Sequence, residues 1–218
     1  MRIYHGSSQI VRTPKFGIGR TNNDFGLGFY CTVMEERAAE WAVTSEDNGF
    51  VSAYALNSDG LRIIDLCGPQ YNILHWIYII SHFREFDPTS ALIHQAKEYI
   101  NRTFPVDFQG CDCIAGYRAD DVSFALAEDF LNGRISYQFL RSVLLGAGLG
   151  TQFVLKSNRA FERITYAGYE TARCIDHYPA KVSREMEMLG KCEAERGATG
   201  IYISQFIDEE IKSYDSRL

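Results

Sequence analysis

The run Asp24-Phe25-Gly26-Leu27-Gly28-Phe29-Tyr30-Cys31-Thr32-Val33-Met34-Glu35 decides the fold class. Gly26 and Gly28 mark a turn, and Gly28-Phe29-Tyr30-Cys31 reads as a short strand. Thr32-Val33-Met34-Glu35 has the form of a capping box, with Thr32 capping and Glu35 reaching back. A helix from about Val33 to Thr44 is expected to follow. Upstream, Arg2 to His5 is a second short strand, and Gly6 to Leu27 is a polar, glycine-dotted loop. Downstream, Val51 to Leu56 and Leu61 to Leu66 read as two strands joined by the turn Asn57-Ser58-Asp59-Gly60. Ile73, Trp76, Ile77, Ile80 and Phe83 then fall at helical spacing.

The same alternation continues to the end of the chain. Ser90 to Arg102 reads as a helix, Asp112 to Gly116 as a strand, and Asp120-Asp121 precedes a helix ending near Leu131. Ser136 can cap a helix with Phe139, Leu140, Val143 and Leu144 on one side. Gln152 to Leu155 and Arg163 to Tyr166 are strand candidates, and Ala180 to Arg196 and Ile201 to Tyr214 are helix candidates. Short strands interspersed with helices imply one α+β domain over residues 1–218. Its core covers about residues 4–166, and a helical extension covers residues 167–218.

Composition narrows the function. The 218 residues are 46% hydrophobic and 23% charged, enough to bury a sizeable core. Lys and Arg number 22 against 28 Asp and Glu, a net charge of −6, which disfavours general phosphate coating but leaves room for a local basic groove. The N-terminus has no signal-peptide pattern. The apolar stretch Ile73 to Phe83 is too short and too polar to span a bilayer, so no membrane partner is expected. Cys111 and Cys113 are close but lack a second pair or a nearby His, so no metal site is expected. Free thiols fit a reducing cytoplasm. Gly17-x-Gly19, Gly26-x-Gly28 and Gly146-x-Gly148-x-Gly150 lack the strand, glycine turn, helix order of a nucleotide loop.

Three blocks carry chemistry: Tyr4-His5-Gly6-Ser7, then Asp24 to Tyr30, then Trp41, eleven residues after Tyr30. Their order and spacing resemble the His-Tyr-Glu branch of the ADP-ribosyltransferases, which holds diphtheria toxin and the poly(ADP-ribose) polymerases. The chain resembles more closely a poorly characterised bacterial family of that superfamily, some members of which belong to toxin-antitoxin modules. That family carries H-G-S, D-F-G-x-G-F-Y, W-I-x-x-I and A-D-D blocks, the last two read here as Trp76 to Ile80 and Ala119-Asp120-Asp121.

The resemblance implies a split β-sheet core with helical insertions and C-terminal helices. It implies NAD as a substrate, a macromolecular acceptor of protein or nucleic acid, and an antitoxin as a possible partner. His5 would bond a ribose hydroxyl, Gly6 the carboxamide through its backbone, and Ser7 would assist at the amide. Tyr30 and Trp41 would sandwich the nicotinamide, and Arg20 and Arg118 would meet the pyrophosphate. In those enzymes a Glu opens a late strand, bonds the ribose and activates the acceptor, whereas Gln152 stands there in this chain. An amide can bond the ribose but cannot act as a general base. Three readings follow: an acceptor needing little activation, another carboxylate in service, or NAD binding without turnover. Asp120 and Asp121 are the substitute carboxylates, or else ordinary helix caps. The resulting expectation is single transfer of ADP-ribose. NAD hydrolysis and a catalytically degenerate binding module are the alternatives. Ser90 to Arg102 is a candidate insertion shaping acceptor choice.

Overall fold

Tyr4 exchanges two backbone hydrogen bonds with Thr32, at 2.8 and 2.9 Å, and this single bridge joins two sheets. The computed structural model describes residues 1–118, 121–146, 150–194 and 199–218, the side chains of 121, 188, 189 and 191–194 excepted. The first sheet is β1 (Arg2–Ser7), β3 (Gly49–Leu56) and β7 (Ile164–Ala172), in the order β1-β3-β7 and antiparallel throughout. The second is β2 (Phe29–Cys31), β6 (Thr151–Leu155), β5 (Cys113–Tyr117) and β4 (Ile63–Asp65), in the order β2-β6-β5-β4. Only its β4–β5 pair is parallel.

Alternation along the strands sends side chains to two faces. Ile3, Tyr54 and Leu56 of the first sheet meet Cys31, Cys113, Phe153 and Leu155 of the second in one buried cluster. Tyr4, Val51 and Ala53 face the other way, onto Ala38, Ala39 and Ala42 of α1 (Glu35–Ala42). The outer face of the second sheet carries the largest cluster. It is built from α2 (Ile73–Phe83), α3 (Ala91–Thr103), α4 (Asp121–Leu131), α5 (Tyr137–Gly146) and, after α6 (Asn158–Phe161) and α7 (Cys174–Ala194), α8 (Ile203–Asp208). α2 lies at its centre, which is why its residues are apolar on nearly every side. Asn72 and His75 close its first turn as a capping box, and the Trp76 indole donates to the Tyr117 carbonyl at 2.9 Å.

Several local expectations change. Thr32 does not cap α1; Met34 does, with no side-chain bond, while Thr32 Oγ1 accepts from the Met34 N–H. Thr32 is instead held by its bridge to Tyr4. β3 and β4 do not form a hairpin, because both edges of β3 are taken by β1 and β7. β7 runs on to Ala172 beside β3, so strand rather than helix opens the C-terminal segment. No helix among the described residues is long and apolar enough to cross a membrane.

Candidate functional site

The register that pairs Tyr4 with Thr32 would next oppose Gly6 and Tyr30, but the ladder stops. The His5 ring enters the gap, and its Nδ1 lies 2.7 Å from the Tyr30 carbonyl oxygen. A carbonyl only accepts, so Nδ1 carries the proton and Nε2 keeps its lone pair. Burial lowers the His5 pKa, against a smaller opposing effect of that bond, which favours the neutral ring. The backbone N–H and C=O of Gly6 lie two residues beyond those of Tyr4, so strand alternation turns them toward the same gap. The glycine itself has another cause. A Cβ on Gly6 would stand 1.8 Å from the Ala38 carbonyl oxygen, so the missing side chain makes room for α1.

The gap opens into a cleft of about 1040 Å3. His5, Tyr30, Trp41 and Gln152 all line it, brought together from four separate segments. Ser7 does not; its hydroxyl donates to the Gln9 carbonyl at 2.6 Å. Arg20 and Arg118 line the cleft, and the Arg118 guanidinium lies 4.9 Å from the centre of the Trp41 ring. Trp41 therefore already carries a cation on one face. Asp120 lies outside the described residues, as do Ala119 and Gly148. Asp121 opens α4, and its side chain also lies outside the description. The helix over Ser90 to Arg102 contributes nothing to the cleft. Its Ile93, Ala96, Tyr99 and Ile100 are buried in the main core, and the loop of residues 11–23 supplies half of the lining instead.

Asp24 is the lining's sole carboxylate among the described residues, against the cations Lys15, Arg20, Arg84 and Arg118. A cleft with that balance, in a chain of net charge −6, draws anions by its local field. Asp24 accepts from Gln152 Nε2 at 2.7 Å and from Arg84 Nη1 at 3.1 Å. Gln152 also donates to the Tyr117 carbonyl at 3.3 Å, and the Arg84 guanidinium covers the Phe124 ring at 3.8 Å.

The turn presenting Asp24 is fixed on several sides. Gly26 adopts φ +68°, which suits glycine, and its N–H donates to the Asn23 carbonyl at 2.8 Å. The Tyr30 hydroxyl donates to the Gly26 carbonyl at 2.6 Å and accepts from the Phe25 N–H at 3.0 Å. Lys156 donates to the Phe25 carbonyl, and burial pushes the Tyr30 phenol up. Tyr30 is thus both a wall of the cleft and the clasp of the turn. Among these residues, Asp24 and Arg84 are not marked by the sequence as members of a site. Asp24's place at the head of the D-F-G block was an available signal. Arg84 had none, since its partner lies 60 residues away.

Among the described residues no cluster of His, Cys, Asp or Glu could hold a metal ion. No curated protein and no solved structure matches the chain. One family model does, described as a protein of unknown function (DUF3990), over residues 1–166. That span takes in both sheets except the last six residues of β7, together with every residue of the cleft described above. The chain belongs to the DUF3990 family.

Proposed function

We propose that the chain breaks the nicotinamide–ribose bond of NAD and transfers one ADP-ribose unit to a macromolecular acceptor. One observation carries this reading: His5, Tyr30, Trp41 and Gln152 converge on one cation-lined cleft. His5, with Nδ1 fixed on Tyr30, offers Nε2 to a ribose hydroxyl. The Gly6 backbone offers a donor and an acceptor, the pair that a carboxamide needs. Tyr30 and the open face of Trp41 offer stacking to the nicotinamide ring. Arg118, Lys15 and Arg20 suit a pyrophosphate. As the bond breaks, positive charge grows on the ribose, and fixed dipoles stabilise it better than mobile water does. Two sheets meeting at one bridge also suit the split core of an ADP-ribosyltransferase. By the same resemblance the protein works in the cytoplasm as a toxin-type effector, with an antitoxin as its neutralising partner.

A second reading, an NAD-binding module without turnover, draws on the Gln152 amide, which is engaged with Asp24 and is no base. The test is nicotinamide release by the purified protein with and without cell extract. Release that rises with extract, and disappears in His5→Ala and Tyr30→Ala, supports transfer. Release indifferent to extract points to hydrolysis. ADP-ribose binding without release points to the module. The absence of both release and binding refutes the site.

A further inference from the structure

We propose that Asp24 is the catalytic carboxylate of this cleft, and that Gln152 and Arg84 are positioning residues that aim it; the inference rests on the NAD-cleaving reading above. In the family the sequence resembles, a strand glutamate carries the negative charge at the ribose. Here the strand residue is Gln152, whose side-chain nitrogen is 2.7 Å from Asp24 Oδ2. In this chain the carboxylate stands on the turn beside the strand, and the strand amide holds it. The pair is 128 residues apart in sequence and both members line the cleft.

Three further observations support the assignment. Asp24 is the cleft's sole carboxylate among the described residues, and an ionised carboxylate is the kind of group that can face a growing positive charge. It is buried beneath the cleft surface with only 12% of its side chain exposed, where water screens little. Its backbone is preorganised, because the turn is tied by Tyr30 Oη, the Asn23 carbonyl and Lys156, and Phe25 beside it is fully buried. A group so held costs little reorganisation when charge develops.

The step balances without a further reactant. The ribose C1–N bond breaks and its electron pair leaves on the nicotinamide nitrogen, which becomes neutral. Asp24 remains an anion and forms no bond. The acceptor's nucleophilic atom supplies the electron pair of the new bond to C1, and its proton passes to water.

Gln152→Glu separates this assignment from the view that Gln152 is a lost glutamate. It sets a second carboxylate against Asp24 at hydrogen-bond distance, and like charges so close repel. Nicotinamide release is expected to fall at least about tenfold, whereas restoration of a lost glutamate would raise it. Asp24→Asn keeps the shape and an acceptor oxygen for Gln152. Its kcat is expected to fall about 100-fold or more, with the Kd for ADP-ribose within about threefold, while the loss of the Arg84 ion pair lowers the melting temperature but leaves the variant folded at the assay temperature. Gln152→Ala should lower kcat while KM stays nearly constant. A rise in Gln152→Glu, or kcat retained in Asp24→Asn, overturns the assignment of Asp24 alone. An unsubstituted protein that binds ADP-ribose but releases no nicotinamide overturns it while leaving the cleft as a nucleotide site. One that does neither overturns the parent reading as well.

Discussion

Replacing Gly6 with Ala tests whether this glycine serves the helix or the ligand. The added Cβ would lie 1.8 Å from the Ala38 oxygen and 3.1 Å from the Ala42 nitrogen, both backbone atoms of α1. Real Cβ contacts do not fall below 3.0 Å, so α1 must retreat by about 1.2 Å. No flexible side chain is available to absorb that movement. Overpacking of this kind costs about 1–3 kcal/mol, and a backbone obstacle puts it at the upper end. Gly6 has no positive φ, so alanine would recover about 0.5 kcal/mol by stiffening the unfolded chain. The net loss is about 2 kcal/mol, or about 4–8 °C in melting temperature for a domain of this size. Thermal unfolding followed by circular dichroism measures it. Because α1 also carries Trp41, ADP-ribose affinity should fall in the folded variant. A melting temperature within about 1 °C of the parent would refute the packing argument and return Gly6 to a purely ligand-facing role.

Other outcomes follow from the same contacts. Glu40 is buried and accepts from Arg37 at 2.7 Å and from Arg184 of α7, so Glu40→Ala strands a buried guanidinium and should cost about 3 kcal/mol in urea unfolding. Arg184→Ala, at the more exposed end of that tie, should cost less than half as much. Burial lowers the pKa of both His5 and His75 from the ordinary 6.5. The unfolded chain therefore binds more protons as pH falls below about 6.5, and stability, level above that, should decline until the folded values are reached. Urea midpoints from pH 8 to pH 5 measure this, and His5→Asn should flatten part of the slope. Arg118→Ala should weaken ADP-ribose binding about tenfold and reduce its salt sensitivity, as measured by calorimetry at two ionic strengths.

The sequence made several helices legible through a local cap or period, although the Thr32 signal misplaced the cap of α1. Ser90 accepts from the Ile93 N–H and Ser136 from the Phe139 N–H, and α2 follows its apolar spacing. His5, Tyr30 and Trp41 were legible as a set because their blocks have fixed order and spacing. Pairing between distant segments was not. Asn57 to Gly60 reads as a hairpin turn, yet a turn signal says nothing about which sheet receives the next strand. Asp24 looks like any acidic turn residue until Gln152 and Arg84, far away in sequence, are seen to hold it. The period of Ser90 to Arg102 likewise does not tell where its apolar face packs, which is the main core. An amphipathic helix reveals a buried face, but not whether that face meets the core or a cleft.

The loop of residues 11–23 forms half of the cleft yet belongs to neither sheet. It is anchored at its start, where Val11 bonds Ser52 and Tyr54, at its middle, where Phe16 meets Phe161, and at its end, where Asn23 receives the Gly26 N–H. Between those anchors, Thr13, Lys15, Ile18, Arg20 and Asn22 are exposed residues that line the cleft. Exchanges there alter what the cleft admits without disturbing a strand or a buried cluster. The cleft thus joins two kinds of wall: the loop side chains can be exchanged at little cost to folding, while His5, Tyr30, Asp24 and Gln152 are bound into the structure that makes them.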